Sequence, residues 1–166
     1  MVEFMVTKGM KRAIIVLAIV AIAGAAEQKR QTVIRPGLFE LGVYLGEPTG
    51  LSAKYYLNRT NAIEGIAAWA FSQGFLVVSA DYLFTFPDVV KLEGETFPLF
   101  IGAGAIARIN MGVQPPIEIG ARIPLGALYV FRGFPLEISL EVVPVLYLFP
   151  DTQFTGMGGI GIRYCF

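Results

Sequence analysis

The sequence predicts an all-β fold: an eight-stranded antiparallel up-and-down transmembrane β-barrel behind a cleavable signal peptide. Three observations point there. The chain after residue 37 breaks into eight short runs in which apolar residues alternate with polar or small ones, the period of a strand. Charged residues make up 16% of the 166 and apolar residues 55%, where a soluble domain carries about 25% charge. A basic and then apolar opening segment precedes the runs.

That segment reads as an address. Lys8, Lys11 and Arg12 lead into an unbroken apolar run from Ala13 to Ala26, which ends in Ala23-Gly24-Ala25-Ala26. A basic start, a short apolar stretch and an Ala-x-Ala-like site make a signal peptide cut after Ala25 or Ala26. The run is shorter than the ~20 residues of a spanning helix. The same features stand whether the chain starts at Met1 or at Met10. The sequence thus divides into 1–26 as signal peptide, 27–37 as a polar lead and 38–166 as barrel. Cleavage after Ala26 leaves 140 residues with 10 bases and 12 acids, so low charge belongs to the remaining chain itself. No later stretch reaches helix-spanning length without Gly, Pro or a charge; a membrane crossing has to be made by strands.

The runs fall at 38–46, 49–57, 62–71, 74–85, 97–109, 117–131, 135–147 and 155–166. Between them stand turn residues such as Glu47-Pro48, Asn58 to Asn61, Ser72-Gln73, Asn110 to Pro116, Arg132-Gly133 and Pro150-Asp151. In 117–131, Ile117, Ile119, Ala121, Ile123 and Leu125 share one face against Glu118, Gly120, Arg122, Pro124 and Gly126. The run 135–147 sets Leu136, Ile138, Leu140 and Val142 against Glu137, Ser139 and Glu141. Pro124 and Pro144 lie inside runs, where a missing N–H calls for a bulge, an edge or a shifted boundary.

Facing the apolar side inward would leave a water surface rich in Gly with about one ionic residue per strand, a poor solvation shell. Facing it outward into lipid puts Gly and small residues in the crowded interior of an eight-strand barrel and lets interior charges pair. Aromatics near strand ends then form interfacial girdles: Tyr44, Tyr55, Trp69, Tyr82, Phe84, Tyr129 and Phe131, with Phe71, Phe86, Tyr164 and Phe166. A closed barrel also pairs every backbone group, as hydrocarbon demands.

On these features the chain resembles the small eight-stranded bacterial outer-membrane β-barrels of the OmpA/OmpX-type scaffold, in particular their short uncharacterised members. The resemblance rests on the opening segment, the eight runs and the terminal stretch Gly159 to Phe166. It implies localisation in a bacterial outer membrane after export through the periplasm, outer-membrane lipid and the barrel assembly machinery as partners, and a monomer. It implies that Ile160, Ile162, Tyr164 and Phe166 form the C-terminal assembly signal. With both termini periplasmic, the surface loops 46–49, 72–74, 110–116 and 148–154 are short, and the longest connection, Pro87 to Thr96, is periplasmic. The family usually has its longer loops outside.

Catalytic chemistry finds little support. The chain has no His, and the lipid-modifying and proteolytic barrels that it resembles use one as general base. Ser52, Ser72, Ser79 and Ser139 lack any such activator. Gly102-Ala103-Gly104-Ala105-Ile106-Ala107 lacks the strand–helix context of a dinucleotide-binding turn. Asn58-Arg59-Thr60 matches a glycosylation triplet and reads as a turn, and Cys165 has no disulfide partner. The expectation is therefore no enzyme, no catalytic, cofactor or metal site, and no nucleic-acid partner.

What remains is a set of inward-facing charges: Glu40, Glu64, Asp81, Glu118, Glu137 and Glu141 with Lys54, Arg108, Arg122 and Arg163. Estimated registers bring Lys54 near Glu64 and Arg108 near Glu118, with Glu40 and Arg163 near one rim. Buried charges persist only when paired, so the set predicts a lumen filled by salt bridges, with a structural or interaction role for the protein. The alternatives are a narrow or gated channel of porin-like kind and a secreted, soluble, lipocalin-like binding barrel.

Overall fold

The computed structural model describes residues 34–47, 49–70, 74–92, 95–112, 116–131 and 133–166. The expected signal peptide 1–26 lies outside the described residues, as does the lead up to residue 33. The described chain is all β. Its strands are β1 Phe39–Glu47, β2 Gly50–Tyr56, β3 Asn61–Ala70, β4 Phe75–Leu92, β5 Glu95–Asn110, β6 Ile117–Arg122, β7 Leu125–Val130, β8 Leu136–Phe149 and β9 Gln153–Cys165. Every pairing is antiparallel, and β1 pairs with both β2 and β9, which closes the sheet.

Nine strands make eight positions in the ring, because β6 and β7 share one. Both pair with β5 on one side and β8 on the other. The run 117–131, expected as one strand, is thus interrupted at Ile123-Pro124. The physical reason lies across the ladder. Arg122 pairs with Val145 and Leu125 with Val142, a register that sets Ile123 opposite Pro144. Pro144 faces Ile123 and removes a donor from the ladder with β8, while Pro124 faces Gly102 and removes one from the ladder with β5, so the run loses a bond on each side at neighbouring positions. The remaining contacts are Ile123 N–H to Pro144 C=O at 3.0 Å and Gly102 N–H to Pro124 C=O at 2.7 Å. β8 itself runs unbroken through Pro144, which pairs with Gly156 of β9.

A second departure concerns 87–96, expected as a connection. β4 and β5 continue through it, paired down to Leu92 and Glu95, with a register shift between Phe86 and Val90. Their ring neighbours stop earlier: β3 pairs with β4 no further than Asn61–Phe84, and β7 with β5 no further than Leu99–Ala127. The result is a two-stranded ribbon standing past the ring at the end where both described termini lie. Valines and a Phe on either side of Pro87 favour extended backbone over the loop that the proline suggested.

Alternation decides what each strand turns in and out. Along β4, Val77, Ser79, Asp81, Leu83 and Thr85 are buried while Val78, Tyr82, Phe84 and Phe86 are exposed. The molecule is inverted relative to a water-soluble protein: exposed side chains include Leu41, Leu51, Ile63, Ile101, Ile119, Leu140 and Ile160, whereas Glu40, Lys54, Glu64, Glu137 and Arg163 have 1% exposure or less.

Outward aromatics sort to the two ends. Tyr55, Tyr82, Phe84 and Phe166 are exposed at the end of the termini, as Trp69 is at the other end. Tyr129 stacks edge-on with Phe131 at 4.8 Å, and its ring lies 5.2 Å from that of Phe97. Phe149 and Phe154 stand exposed beside Trp69's end, where β8 meets β9. Tyr44 does not join either band. It points inward with 2% exposure, packed with Ile66 and Ala68. Its neighbours explain the correction: β1 alternates through Glu40, Gly42 and Tyr44, so Tyr44 shares the glutamate's face rather than that of Leu41 and Leu45.

Candidate functional site in the barrel lumen

The inward charges of β2, β3, β4, β8 and β9 lie along the strands between two buried apolar clusters. Beside the termini, Leu38, Tyr56, Ala62, Leu83, Phe100, Leu128 and Cys165 form one buried cluster, with Ile34 and Val130 packed against it. Further along the same strands come Lys54, Glu64, Asp81, Glu137 and Arg163. Beyond them lies a second cluster of Val77, Ile106, Val143, Val145 and Tyr147, and beside it the Tyr44 group. The ionic layer therefore sits between two apolar ones.

Arg163 of β9 is the centre of that layer. Its Nε–H donates to Ser52 Oγ at 2.7 Å, and Nη1 donates to Glu137 Oε1 at 3.0 Å and to Ser139 Oγ at 2.8 Å. Nη2 donates to Glu64 Oε1 and, at 3.2 Å, to Glu141 Oε1. One guanidinium thus reaches β2, β3 and β8, using the fixed five-donor fork that a lysine lacks. Glycine makes the room. A Cβ on Gly161 would stand 2.7 Å from Arg163 Nη1 and 2.5 Å from Ser139 Oγ, so the guanidinium folds back over that residue. A Cβ on Gly42, its partner across the β1–β9 seam, would stand 2.6 Å from Arg163 Cα.

Glu137 of β8 is the matching anion. Besides Arg163 it accepts from Lys54 Nζ at 2.6 Å and from Tyr56 O–H at 2.7 Å. Sequence register favours Glu64 as the partner of Lys54, and the two do lie opposite each other on β2 and β3. The ammonium instead crosses the lumen to β8. Glu64 is met by Arg163 and by the Ser52 hydroxyl at 2.8 Å. Side-chain length decides this, since an inward lysine on a narrow ring reaches the far wall as easily as its neighbour.

The other sequence-derived positions distribute as follows. Arg122 lies 3.0 Å from Asp81 through Nε and donates from Nη1 to Ser79 Oγ at 2.8 Å. Arg108 meets Glu118 at 3.2 Å near the far rim, with its guanidinium 4.8 Å from the Phe75 ring centre and 5.4 Å from that of Tyr147. Glu40 does not touch Arg163; its Oε1 accepts from the Cys165 thiol at 3.4 Å. Of the terminal stretch, Ile160 and Phe166 are exposed, Ile162 and Tyr164 are half-buried, and the Phe166 ring stacks on Tyr164 at 4.8 Å and on Phe39 at 5.9 Å.

Sequence reasoning missed the hydroxyls. Ser52, Ser79, Ser139 and Tyr56 fill hydrogen-bonding positions that the ions leave open. The signal was present, because each shares the parity of a neighbouring inward charge. Leu38, the first residue of the first expected run, lies just ahead of β1; it sits at 2% exposure in the mouth, held where the Tyr56 N–H donates to its carbonyl at 2.9 Å. Among the described residues, no group of three or more carboxylates, thiols or imidazoles is arranged to hold a metal ion.

No protein-family model matches the chain, nor does any curated protein sequence. Among solved structures, the N-terminal β-barrel domain of Pseudomonas aeruginosa OprF is similar, with a TM-score of 0.61 at 15% identity over 79% of this chain and 98% of that domain. The two share a fold. At that identity the likeness extends to the barrel and its closure, and the scaffold resemblance read from the sequence holds at the same level. The ionic layer described above belongs to this chain.

Proposed function

We propose that the protein is an integral β-barrel of the bacterial outer membrane, with a structural or interaction role and a lumen closed by its own side chains. The observation that carries this reading is the inversion of the molecule: large apolar side chains cover the outside of the ring while the ions are buried inside. Lipid accepts such an outside and water does not. A closed lumen is supported by the order apolar, ionic, apolar along the strands, since eight strands leave space for side chains and little else. A lipocalin-like barrel would need an apolar ligand cavity where Arg163 and Glu137 stand.

On this reading the chain is exported through the periplasm after loss of residues 1–26, is received by the barrel assembly machinery through its last strand, and works as a monomer without catalysis. The short turns at the end away from the termini favour a compact envelope component over a long-looped adhesin. The deciding experiment is a gel of the mature chain in detergent, unheated and boiled. A mobility shift with strong β circular dichroism is expected, because a ring has no edge from which to unzip. Solubility without detergent and no shift would overturn the reading.

A further inference from the structure

The β1–β9 seam differs from the other joints of the ring. Every other pairing joins strands that follow one another within the ring, whereas this one joins Phe39–Glu47 to the last strand of the chain. Until it forms, the carboxylates of Glu64 on β3 and of Glu137 and Glu141 on β8 stand on strands that are remote in sequence and lie on opposite sides of the open seam. Arg163 is the one residue that touches all three, and it arrives with the last strand.

We propose that Arg163 is the closure latch of the barrel: its guanidinium draws the final strand into the ring across the seam, to Glu64, and neutralises Glu64 and Glu141, which among the described residues pair with no other cation. Three features fit a latch better than a filler. Its contacts to Ser52 on β2 and Glu64 on β3 cross the seam and exist only in the closed ring, whereas those to Glu137, Ser139 and Glu141 lie within the β8–β9 pairing. It is anchored at two fork positions by serine hydroxyls, Ser52 on β2 and Ser139 on β8, which orient the fork towards both walls. And Gly161 leaves the space into which the guanidinium folds, while Gly42 lets the β9 backbone come close to β1 at Arg163. A filler of equal volume would need none of these. The proposal concerns how the ring shuts and stands apart from what the shut ring does; a soluble barrel would need the same latch.

The native Cys165 supplies a direct readout. It pairs with Glu40 across the seam, the thiol 3.4 Å from the carboxylate, so the E40C variant forms a seam disulfide only when the ring is shut. Crosslinking of unfolded E40C chain is followed in vesicles of phosphatidylcholine and in detergent micelles under mild oxidant. With Arg163 present the crosslink accumulates with folding. Adding R163M, of similar length and no charge, is expected to slow it by about tenfold or more. Adding E64Q and E141Q to that variant is expected to restore most of the rate, because the carboxylates that paired only with the cation are gone while Lys54 keeps Glu137. R108M in the E40C background, which removes a half-exposed lumen cation at the rim away from the termini, should leave the rate within about twofold of its parent. An unchanged rate in R163M overturns the latch. A compensated variant no faster than R163M alone overturns it in favour of volume, and an equal effect of R108M overturns its assignment to the seam.

Discussion

Arg163 and Arg108 face the same lumen and both meet a glutamate, yet they stand in different solvents. The side chains of Arg163 and Glu137 have 0% exposure, while those of Arg108 and Glu118 keep 28% and 17%. Around Arg163 the remaining donors are taken up by Ser52 and Ser139, and Glu137 is further filled by Lys54 and Tyr56. Around Arg108 the support is two aromatic faces, with Asn110 reaching Glu118 at 3.4 Å. Depth rather than residue type separates them. Removing one member from a dry, fully connected set strands the others, whereas a pair near water exchanges its partner for solvent.

The largest effect expected from this contrast is at Glu137. Glu137→Gln leaves Lys54 and Arg163 short of one negative charge in the lumen and should cost about 3–5 kcal/mol, read as a lower urea midpoint for loss of the unheated gel band. A loss below about 1 kcal/mol would put the deep set on the same footing as a surface pair. Next comes the outside wall. Leu140→Arg replaces a side chain that is 61% exposed on β8; at the middle of a bilayer an arginine there should cost about 2–4 kcal/mol, measured by the same titration in vesicles. A neutral effect would mean that Leu140 faces water, and the whole inside-outside contrast would reverse. The smallest effect belongs to the rim. Arg108→Met should change stability by less than about 1 kcal/mol, and raising salt towards about 1 M should shrink what difference there is.

Parts of this arrangement are legible in the sequence and parts are not, for a physical reason in each case. The inward parity of Glu64, Glu137 and Arg163 follows from counting in twos, a property of each strand by itself. Partner choice does not. Lys54 lies opposite Glu64 but bonds to Glu137, because which groups meet across a lumen depends on how the whole ring closes. Tyr44 shows the limit of residue type as a guide: an aromatic near a strand end suggests an interface, and its parity with Glu40 says otherwise. Proline is legible only in part. The irregularity expected at Pro124 is there, and its extent depends on Pro144, which takes a donor from the neighbouring ladder at Ile123, whereas the strand runs on past Pro87 through a register shift. In both cases the deciding neighbour is far away in sequence or lies on another strand.

The ribbon formed by β4 and β5 beyond the ring carries a consequence of its own. Rungs within the ring are held on both sides, so none opens without disturbing the next, and the ring melts as a unit. Past Phe86 on β4, the rungs from Val90–Phe97 to Leu92–Glu95 have a backbone partner on one side only, and an isolated two-stranded hairpin is marginal in water. The sheet is therefore continuous in geometry and divided in cooperativity. Its amide protons are expected to exchange with solvent in two classes, those of the ring only through global opening and those of the ribbon through a local fraying that leaves every stave of the barrel in place.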